Sequence, residues 1–251
     1  MSLLSHFKEF RNRIFLSLVG ILIASIIGWF LFDPVFQLLK EPLEQAAERR
    51  EQLVAINFTG VASPLDLRIK VSIFIGIILS SPWWVYQLWA FITPGLTGKE
   101  KRRTIGFTFA AVPLFLGGAV LAWAVLPYAV RILTDFLPAG TTNLQDAQTY
   151  IGFVTKLLLA FGLAFLMPVV VVFLNMINTL SAKTLRNGWR WAVLIAFTFA
   201  AVMTPTPDAL TMILVALPIC FLYGIALIIC EFHDRKQKKN ALQNIEEEST
   251  S

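Results

Sequence analysis

Charged and catalytic side chains are scarce in this sequence. Only 15% of its 251 residues are charged, whereas a soluble domain of this length carries about 25%. The two histidines, His6 and His233, lie near the termini, and the sequence contains neither a His-Glu-x-x-His zinc motif nor a Gly-x-Ser-x-Gly nucleophile motif. We therefore expect no catalytic residue, no metal site and no cofactor, and we predict that the protein is not an enzyme.

Cysteine is equally scarce. The two cysteines, Cys220 and Cys230, both lie in the last apolar stretch. Ten residues apart on one helix, they point in different directions and cannot form a disulfide. We expect both to be buried, inert thiols.

Long uncharged apolar stretches are what the sequence has in abundance, and hydrophobic residues make up 57% of it. A membrane-spanning helix needs about 20 apolar residues, and runs of this length without period-two alternation favour helices over barrel strands. We predict an all-α integral membrane protein with one six-helix domain (residues 1–232) and a disordered cytoplasmic tail (residues 233–251). The predicted transmembrane helices are residues 14–32, 71–92, 104–130, 157–180, 191–206 and 209–230.

Lysine and arginine are distributed unequally among the connecting segments. Fourteen of the 21 fall before the first span, in the 99–103 and 183–190 loops, and in the tail; the other seven lie in the longer loops opposite. Because cytoplasmic loops carry the excess of Lys and Arg, both termini are predicted to be cytoplasmic. These cations flank apolar stretches rather than covering one soluble face, so they do not indicate a nucleic-acid partner.

The fifth predicted span is short. Its 16 residues (191–206) give about 24 Å of helix, against a hydrocarbon core of about 30 Å. It ends in the turn Thr204-Pro205-Thr206-Pro207-Asp208, which leads into the sixth span, so the two spans form a short hairpin. Either the Trp189-Arg190 end snorkels inward, or the bilayer thins beside this hairpin.

None of the predicted spans contains Asp, Glu, Lys, Arg or His. Small-solute transporters usually place such residues along the transport path, so their absence argues against a permease. A permease and a structural anchor for a membrane complex stay as alternatives. Two solitary acids stand out at the cytoplasmic rim: Glu9 before the first span and Glu100 in the basic 99–103 loop. Local charge balance explains each on residue chemistry alone, and Glu9 is spaced to pair with Arg13 at i, i+4.

Four segments of the sequence, in order, resemble the signature of the TatC family. The similarity runs from about residue 6 to residue 232 and covers all six predicted helices. The most specific match is the run Tyr86-Gln87-Leu88-Trp89-Ala90-Phe91-Ile92-Thr93-Pro94-Gly95-Leu96, followed by Lys99-Glu100-Lys101-Arg102. The other matches are His6-x-x-Glu9-x-Arg11-x-Arg13, Phe161-Gly162-x-x-Phe165-x-x-Pro168 and Met203-Thr204-Pro205-x-x-Asp208.

TatC is the receptor core of the twin-arginine translocase, which uses the proton-motive force to move folded proteins across the bacterial cytoplasmic or thylakoid membrane. The resemblance implies that Glu9 and Glu100 accept the paired arginines of a signal peptide, that Arg11 shapes this site, and that Phe91 and Pro94 shape the loop. Carboxylates bind guanidinium groups bidentately, and lysine would not substitute well. The resemblance also implies a multi-pass protein of the bacterial inner membrane, surrounded by lipid, that assembles with single-span TatA and TatB subunits and with further copies of itself.

Two positions depart from the family pattern. Leu166 stands where helix four commonly has Glu or Gln, and Gly224 stands where helix six commonly has Glu. In the family these polar groups are associated with docking of TatA and TatB, so the usual polar contact inside the membrane is in doubt here. The resemblance places partner docking at Leu166, Met203, Thr204, Pro205 and Asp208. Polar alternatives for docking are Thr155, Asn175, Thr198 and Thr211.

Overall fold

The computed structural model describes residues 3–48, 55–58, 60–92, 98–135, 144–177, 179–203 and 209–250. Within these residues the chain forms nine helices and two short strands. In chain order they are α1 (Leu3–Phe30), α2 (Phe32–Glu48), β1 (Ala55–Asn57), α3 (Ser63–Leu79), α4 (Ser81–Ile92), α5 (Gly98–Asp135), β2 (Leu144–Asp146), α6 (Ala147–Met176), α7 (Ala182–Asn187), α8 (Trp189–Met203) and α9 (Ala209–Thr250).

The helices confirm the predicted all-α membrane class. Across the described residues, four helical segments are long and apolar enough to cross a membrane: Phe7–Phe30, Phe109–Tyr128, Ala147–Met176 and Val215–Asn240. Helices α3 and α4 make a fifth candidate if they act as one bent span, and α8 is a shorter apolar helix. These helices overlap the predicted spans, although α8 is shorter than a usual span. The two strands were not predicted.

The second predicted span is two helices rather than one. Helices α3 and α4 meet at an angle of 61°. The backbone N–H of Ser80 donates to the carbonyl of Gly76 (2.9 Å), and the Ser80 hydroxyl donates to the same oxygen (2.6 Å), which closes α3. Pro82 has no N–H to donate, so it is tolerated only in the first turn of the helix that follows. The Ser81-Pro82 pair thus starts α4 in a new direction.

Helices α3 and α6 begin side by side. Strand β1 pairs in parallel with β2, with Ala55 opposite Leu144 and Asn57 opposite Asp146, and each strand precedes one of the two helices. The side-chain amide of Gln148, in the first turn of α6, donates to a carboxylate oxygen of Asp66 in α3 at 2.6 Å. The two helices therefore share one end of the bundle.

Helix α6 forms the centre of the core, since more than half of the residues in its most apolar stretch are buried. Its closest contact with α5 depends on two glycines. A Cβ at Gly118 would lie 2.7 Å from the carbonyl oxygen of Phe161, and a Cβ at Gly162 would lie 2.7 Å from the ring of Phe115. Small residues let helices approach closely in membrane proteins, where packing rather than the hydrophobic effect drives association.

The bounds of α6 correct one prediction from the sequence. The span was predicted to begin at residue 157, but the helix begins at Ala147 and includes Lys156. The candidate transmembrane segment Ala147–Met176 therefore contains a charged residue. Asp146 caps this helix by accepting a hydrogen bond from the backbone N–H of Thr149 at 3.0 Å, which fixes the early start.

The end of the chain also differs from expectation. A disordered tail was predicted from residue 233, but α9 continues to Thr250. Lysine, glutamine, glutamate and alanine, which favour helices, dominate this stretch. Glu231 and Arg235 are spaced i, i+4 and lie 3.9 Å apart, and Asp234 is bonded to residues of α6 and α7, so the helix is held beyond its apolar part.

Candidate functional site

The N-terminal part of α1 lies against α4, and aromatic rings join the two. The indole N–H of Trp83 donates to the carbonyl oxygen of Leu16 at 2.9 Å. A Cβ at Gly20 would collide with the Trp83 ring, so this glycine makes room for it. Nearer the chain start, the rings of Phe10 and Phe91 lie 5.0 Å apart at an interplanar angle of 52°. Phe91, predicted to shape the loop, thus touches the helix that carries Glu9.

Glu9 is held by Arg13, as the i, i+4 spacing predicted. Two guanidinium nitrogens of Arg13, Nε and NH2, donate to the same carboxylate oxygen, Glu9 Oε1, at 3.0 and 2.8 Å. The third nitrogen donates to Oε1 of Gln87 on α4 at 3.2 Å. Gln87 is buried. The Arg13 guanidinium is therefore fixed between two helices, and it fixes Glu9 in turn.

The second carboxylate oxygen of Glu9 is available to a ligand. Within the described part of the chain, Oε2 has no hydrogen-bond partner, because both bonds from Arg13 fall on Oε1. The Glu9 and Arg13 side chains are 26% and 27% exposed, so water and a peptide can reach them. Arg11 is exposed, but it lies two residues from each of them on the same helix and so points to a different face. The arrangement can accept one more charge-assisted hydrogen bond from a cationic group.

Two other predicted site residues are less fully described. Pro94 lies outside the described residues. Glu100 is the third residue of α5, which begins at Gly98, and its side chain is outside the described part. The first turn of a helix favours a carboxylate, because the free backbone N–H groups and the helix dipole are positive there.

The residues predicted to dock partners are spread over three places. Leu166 is 6% exposed and lies in a core cluster with Trp89, Phe115 and Phe173, so in this structure it faces protein rather than lipid. Met203 is the last residue of α8, and its side chain lies outside the description, as do residues 204–208 entirely. A Cβ at Gly224 would meet nothing within 4 Å, so the surface of α9 is open there.

The polar alternatives for docking use their donors inside the protein. The hydroxyls of Thr155 and Thr198 each donate to the carbonyl four residues earlier at 2.8 Å. The amide of Asn175 donates to a carboxylate oxygen of Asp234 at 2.8 Å. Thr211 lies in α9, and its side chain is not described. Threonine hydroxyls bonded in this way satisfy themselves within an apolar helix and do not by themselves indicate a docking site.

One polar junction was not predicted from the sequence. Asp234 accepts hydrogen bonds from the Asn175 amide (2.8 Å) and from the backbone N–H of Ala182 (2.9 Å). Asn175 is 1% exposed, and its amide also donates to the carbonyl of Leu180 at 2.9 Å. The sequence signal that could have indicated it is an acid, Asp234, within one helical turn of the end of the last apolar stretch. The junction ties α9 to α6 and α7, and its role is structural.

A family model described as "Sec-independent protein translocase protein (TatC)" matches residues 5–218. The TatC protein of Xylanimonas cellulosilytica is 54% identical over 236 residues, which cover 94% of this chain and 86% of that protein. The TatC protein of Aquifex aeolicus is 35% identical over 242 residues, covering 95% of this chain and 98% of its relative.

Solved structures give the same result. A crystal structure of the twin-arginine translocase receptor TatC matches with a TM-score of 0.79 at 33% identity, covering 90% of this chain and 98% of the other. A second crystal structure of TatC, in DDM, matches with a TM-score of 0.81 at the same identity. Because the family model spans most of the chain and relatives match along nearly their whole length, the chain belongs to the TatC family, whose members are multi-pass membrane components of a protein translocase and not enzymes.

Proposed function

We propose that this protein is a twin-arginine translocase subunit that binds the twin-arginine signal peptide of folded proteins at its cytoplasmic face. It nucleates a translocation complex driven by the proton-motive force in the bacterial cytoplasmic membrane. Six spans cross that membrane: α1, the bent pair α3 and α4, α5, α6, α8 and α9. The excess of lysine and arginine on one set of connecting segments supports cytoplasmic termini.

The observation that supports this proposal is that only one of the two carboxylate oxygens of Glu9 has a hydrogen-bond donor among the described residues. Arg13 occupies Oε1 and is itself anchored by Gln87, so Oε2 has a defined position without a partner among the described residues. A signal arginine binds Oε2 through its guanidinium group, and Glu100 accepts the second arginine. Carboxylates at these two positions select arginine over lysine, since only the planar guanidinium offers paired N–H donors.

The two arginines do not provide all of the affinity. Exposed ion pairs contribute about 0–1 kcal/mol, and hydrogen bonds to charged groups about 1.5–3 kcal/mol. The apolar stretch of the signal peptide adds the remainder by burying its surface against helices, at about 25 cal/mol per Å² as an upper guide. Phe7 and Phe15 are largely exposed and offer apolar surface on α1, the helix that carries Glu9.

Partner subunits of the TatA and TatB type, and further copies of this chain, dock on the membrane-facing helices. Leu166 is buried and Gly224 lacks a side chain, so neither supplies a polar group to a partner. Docking therefore relies on apolar packing and on the α8–α9 hairpin, which contains Met203, Thr204, Pro205 and Asp208.

The proposal is tested by photocrosslinking a signal peptide to the full-length protein in membranes. A photoreactive residue at Gly98 is combined with an Arg-Arg peptide or a Lys-Lys peptide, and one at Leu38, which is exposed on α2, serves as the control position. Crosslinks at residue 98 that need Arg-Arg, with none at residue 38, support the proposal. Equal crosslinking by the two peptides rejects it and favours a structural anchor.

A further inference from the structure

A cavity of about 440 Å³ lies between α3 and α6, close to the end where both helices begin. Its volume is within the range of roughly 300–1,000 Å³ that is typical of small-ligand sites. The cavity combines charged and apolar walls. Residues that define it are Lys70, Lys156, Thr149, Thr155, Leu67 and Val71.

Lys156 is the unusual member of this lining. It lies nine residues after Ala147, so its Cα is about 14 Å along the helix axis, inside the segment that is apolar enough to span a membrane. Ionisable residues within transmembrane helices are costly and mark functional sites, and they are normally paired. Among the described ion pairs, none includes Lys156, and its side chain is exposed.

The second lysine has a protein partner but keeps donors available. The Lys70 ammonium lies 2.6 Å from Oδ2 of Asp66, and the Gln148 amide donates to the same oxygen at 2.6 Å. Lys70 is 59% exposed, and an ammonium group has three N–H donors. Asp66 thus pairs with Lys70, whereas none of the described ion pairs involves Lys156.

The other polar groups do not compete for an anion. The hydroxyl of Thr155 donates within its helix to the Ile151 carbonyl at 2.8 Å, and that of Thr149 donates to Asp146 at 2.8 Å. The lysines are therefore the donors that this cavity offers. Leu67 and Val71 are fully buried and form an apolar wall beside them.

We propose that this cavity binds the phosphate of an anionic membrane phospholipid, with Lys156 and Lys70 as its ligands. The acyl chains lie along the apolar wall of α3 and α6. Charge complementarity selects an anion, because the charged residues in the described lining are both lysines. A lipid rather than a soluble anion is the occupant, since Lys156 projects from an apolar helix and a lipid phosphate reaches that depth without leaving the membrane. This site is separate from the Glu9 region and does not depend on signal-peptide binding.

The test measures binding of a short-chain phosphatidylglycerol to the purified full-length protein in a neutral detergent. Lys156→Gln raises the dissociation constant about fivefold, the effect of removing one basic residue near an anionic lipid. Lys156→Arg keeps the charge and retains tight binding. The control is Lys40→Gln on α2, which removes a lysine that pairs with Glu44 and does not line the cavity; it leaves the constant unchanged.

Two comparisons identify the ligand. Phosphatidylcholine of the same chain length binds weakly to the wild-type protein, and inorganic phosphate at millimolar concentration fails to displace phosphatidylglycerol. Equal loss in Lys156→Gln and Lys40→Gln, or equal binding of the two lipids, overturns the proposal. Displacement by inorganic phosphate rejects the lipid as occupant. Thermal unfolding of each variant confirms that the fold is retained. If Lys156→Gln does not fold, the two lipids are compared on Lys156→Arg, and equal binding there overturns the proposal as well.

Discussion

At the scale of single residues, Arg13 bonds to one residue of its own helix, Glu9, and to one residue of a distant helix, Gln87. The bond from Arg13 to Glu9 spans four residues and stays within α1, whereas the bond to Gln87 spans 74 residues and crosses to α4. The distant contact determines where the carboxylate points. Both described bonds to Glu9 thus fall on Oε1, and Oε2 has no partner among the described residues.

Replacing Glu9 by Gln should weaken binding of a twin-arginine peptide by about 1 kcal/mol, or roughly fivefold in the dissociation constant, because the contact is partly exposed. Fluorescence anisotropy with a labelled peptide measures the change. A Lys-Lys peptide should respond much less. The control is Glu41→Gln, an exposed acid on α2. If Glu9→Gln and Glu41→Gln bound the peptide equally well, Glu9 would not be an acceptor.

Glu100 is the other predicted acceptor, a solitary acid beside four cations in the 99–103 loop. Glu100→Gln preserves the shape of the side chain and removes its charge, so export of a folded twin-arginine cargo should fall sharply. The amount of protein in the membrane should stay normal, which immunoblotting checks. Normal export at normal protein levels would rule out this role.

At the scale of helices, tight packing rests on glycines at specific positions. Gly118 faces α6, where an added Cβ would lie 2.7 Å from the Phe161 carbonyl oxygen and 2.9 Å from the Phe165 ring. Gly117, its neighbour on the same helix, has open space at the corresponding point. Both glycines lie inside α5, so alanine has the same effect on helix propensity at either position. A difference in stability between the two alanine variants therefore reports on packing against α6.

Gly118→Ala should lower the free energy of unfolding by about 1–3 kcal/mol through overpacking. Gly117→Ala should raise it by up to about 1 kcal/mol, since alanine favours a helix more than glycine does. Thermal denaturation in detergent compares the two variants. An unchanged or higher stability for Gly118→Ala would show that the α5–α6 contact is not as close as described.

Asp234 should be a second determinant of helix packing, through its bonds to Asn175 and Ala182. Asp234→Ala leaves the buried Asn175 amide with one partner fewer and should cost about 1–3 kcal/mol of stability. Glu231→Ala removes only looser ion pairs, at 3.7 and 3.9 Å, and should cost at most about 1 kcal/mol. Chemical denaturation measures both. Similar losses in the two variants would contradict a specific role for Asp234.

At the scale of the whole molecule, the apolar helices differ greatly in length. Helix α8 has 15 residues and is about 22 Å long, whereas α6 has 30 residues and is about 45 Å long. A hydrocarbon core of about 30 Å cannot match both without tilt, snorkelling or local thinning. The short α8 agrees with the short fifth span predicted from the sequence.

If the bilayer thins beside α8, lengthening this helix should impair transport. Inserting four apolar residues after Ala201 adds about 6 Å and rotates the attachment of α9 by about 40°. Export should fall while the affinity for the signal peptide stays the same. The same insertion after Gln243, near the end of α9, serves as the control and should affect neither. Unchanged export, or parallel loss of export and binding, would reject the thinning hypothesis.

The sequence alone determined the properties that depend on composition and short spacing. Long uncharged stretches predicted the helical membrane class, the 16-residue stretch predicted a short α8, and the i, i+4 spacing predicted the Glu9–Arg13 pair. These features follow from the cost of exposing backbone polar groups to lipid and from the helix period. The family motifs added the expected function.

Only the tertiary structure decided which residues from separate helices meet. It bent the second span at Ser80, buried Leu166, joined Asn175 to Asp234 across 59 residues and placed Lys70 and Lys156 around one cavity. Hydropathy does not predict such contacts, because lipid and the protein interior are similarly apolar. The rotation and register of each helix are set instead by close packing, glycine contacts and polar bonds between distant segments.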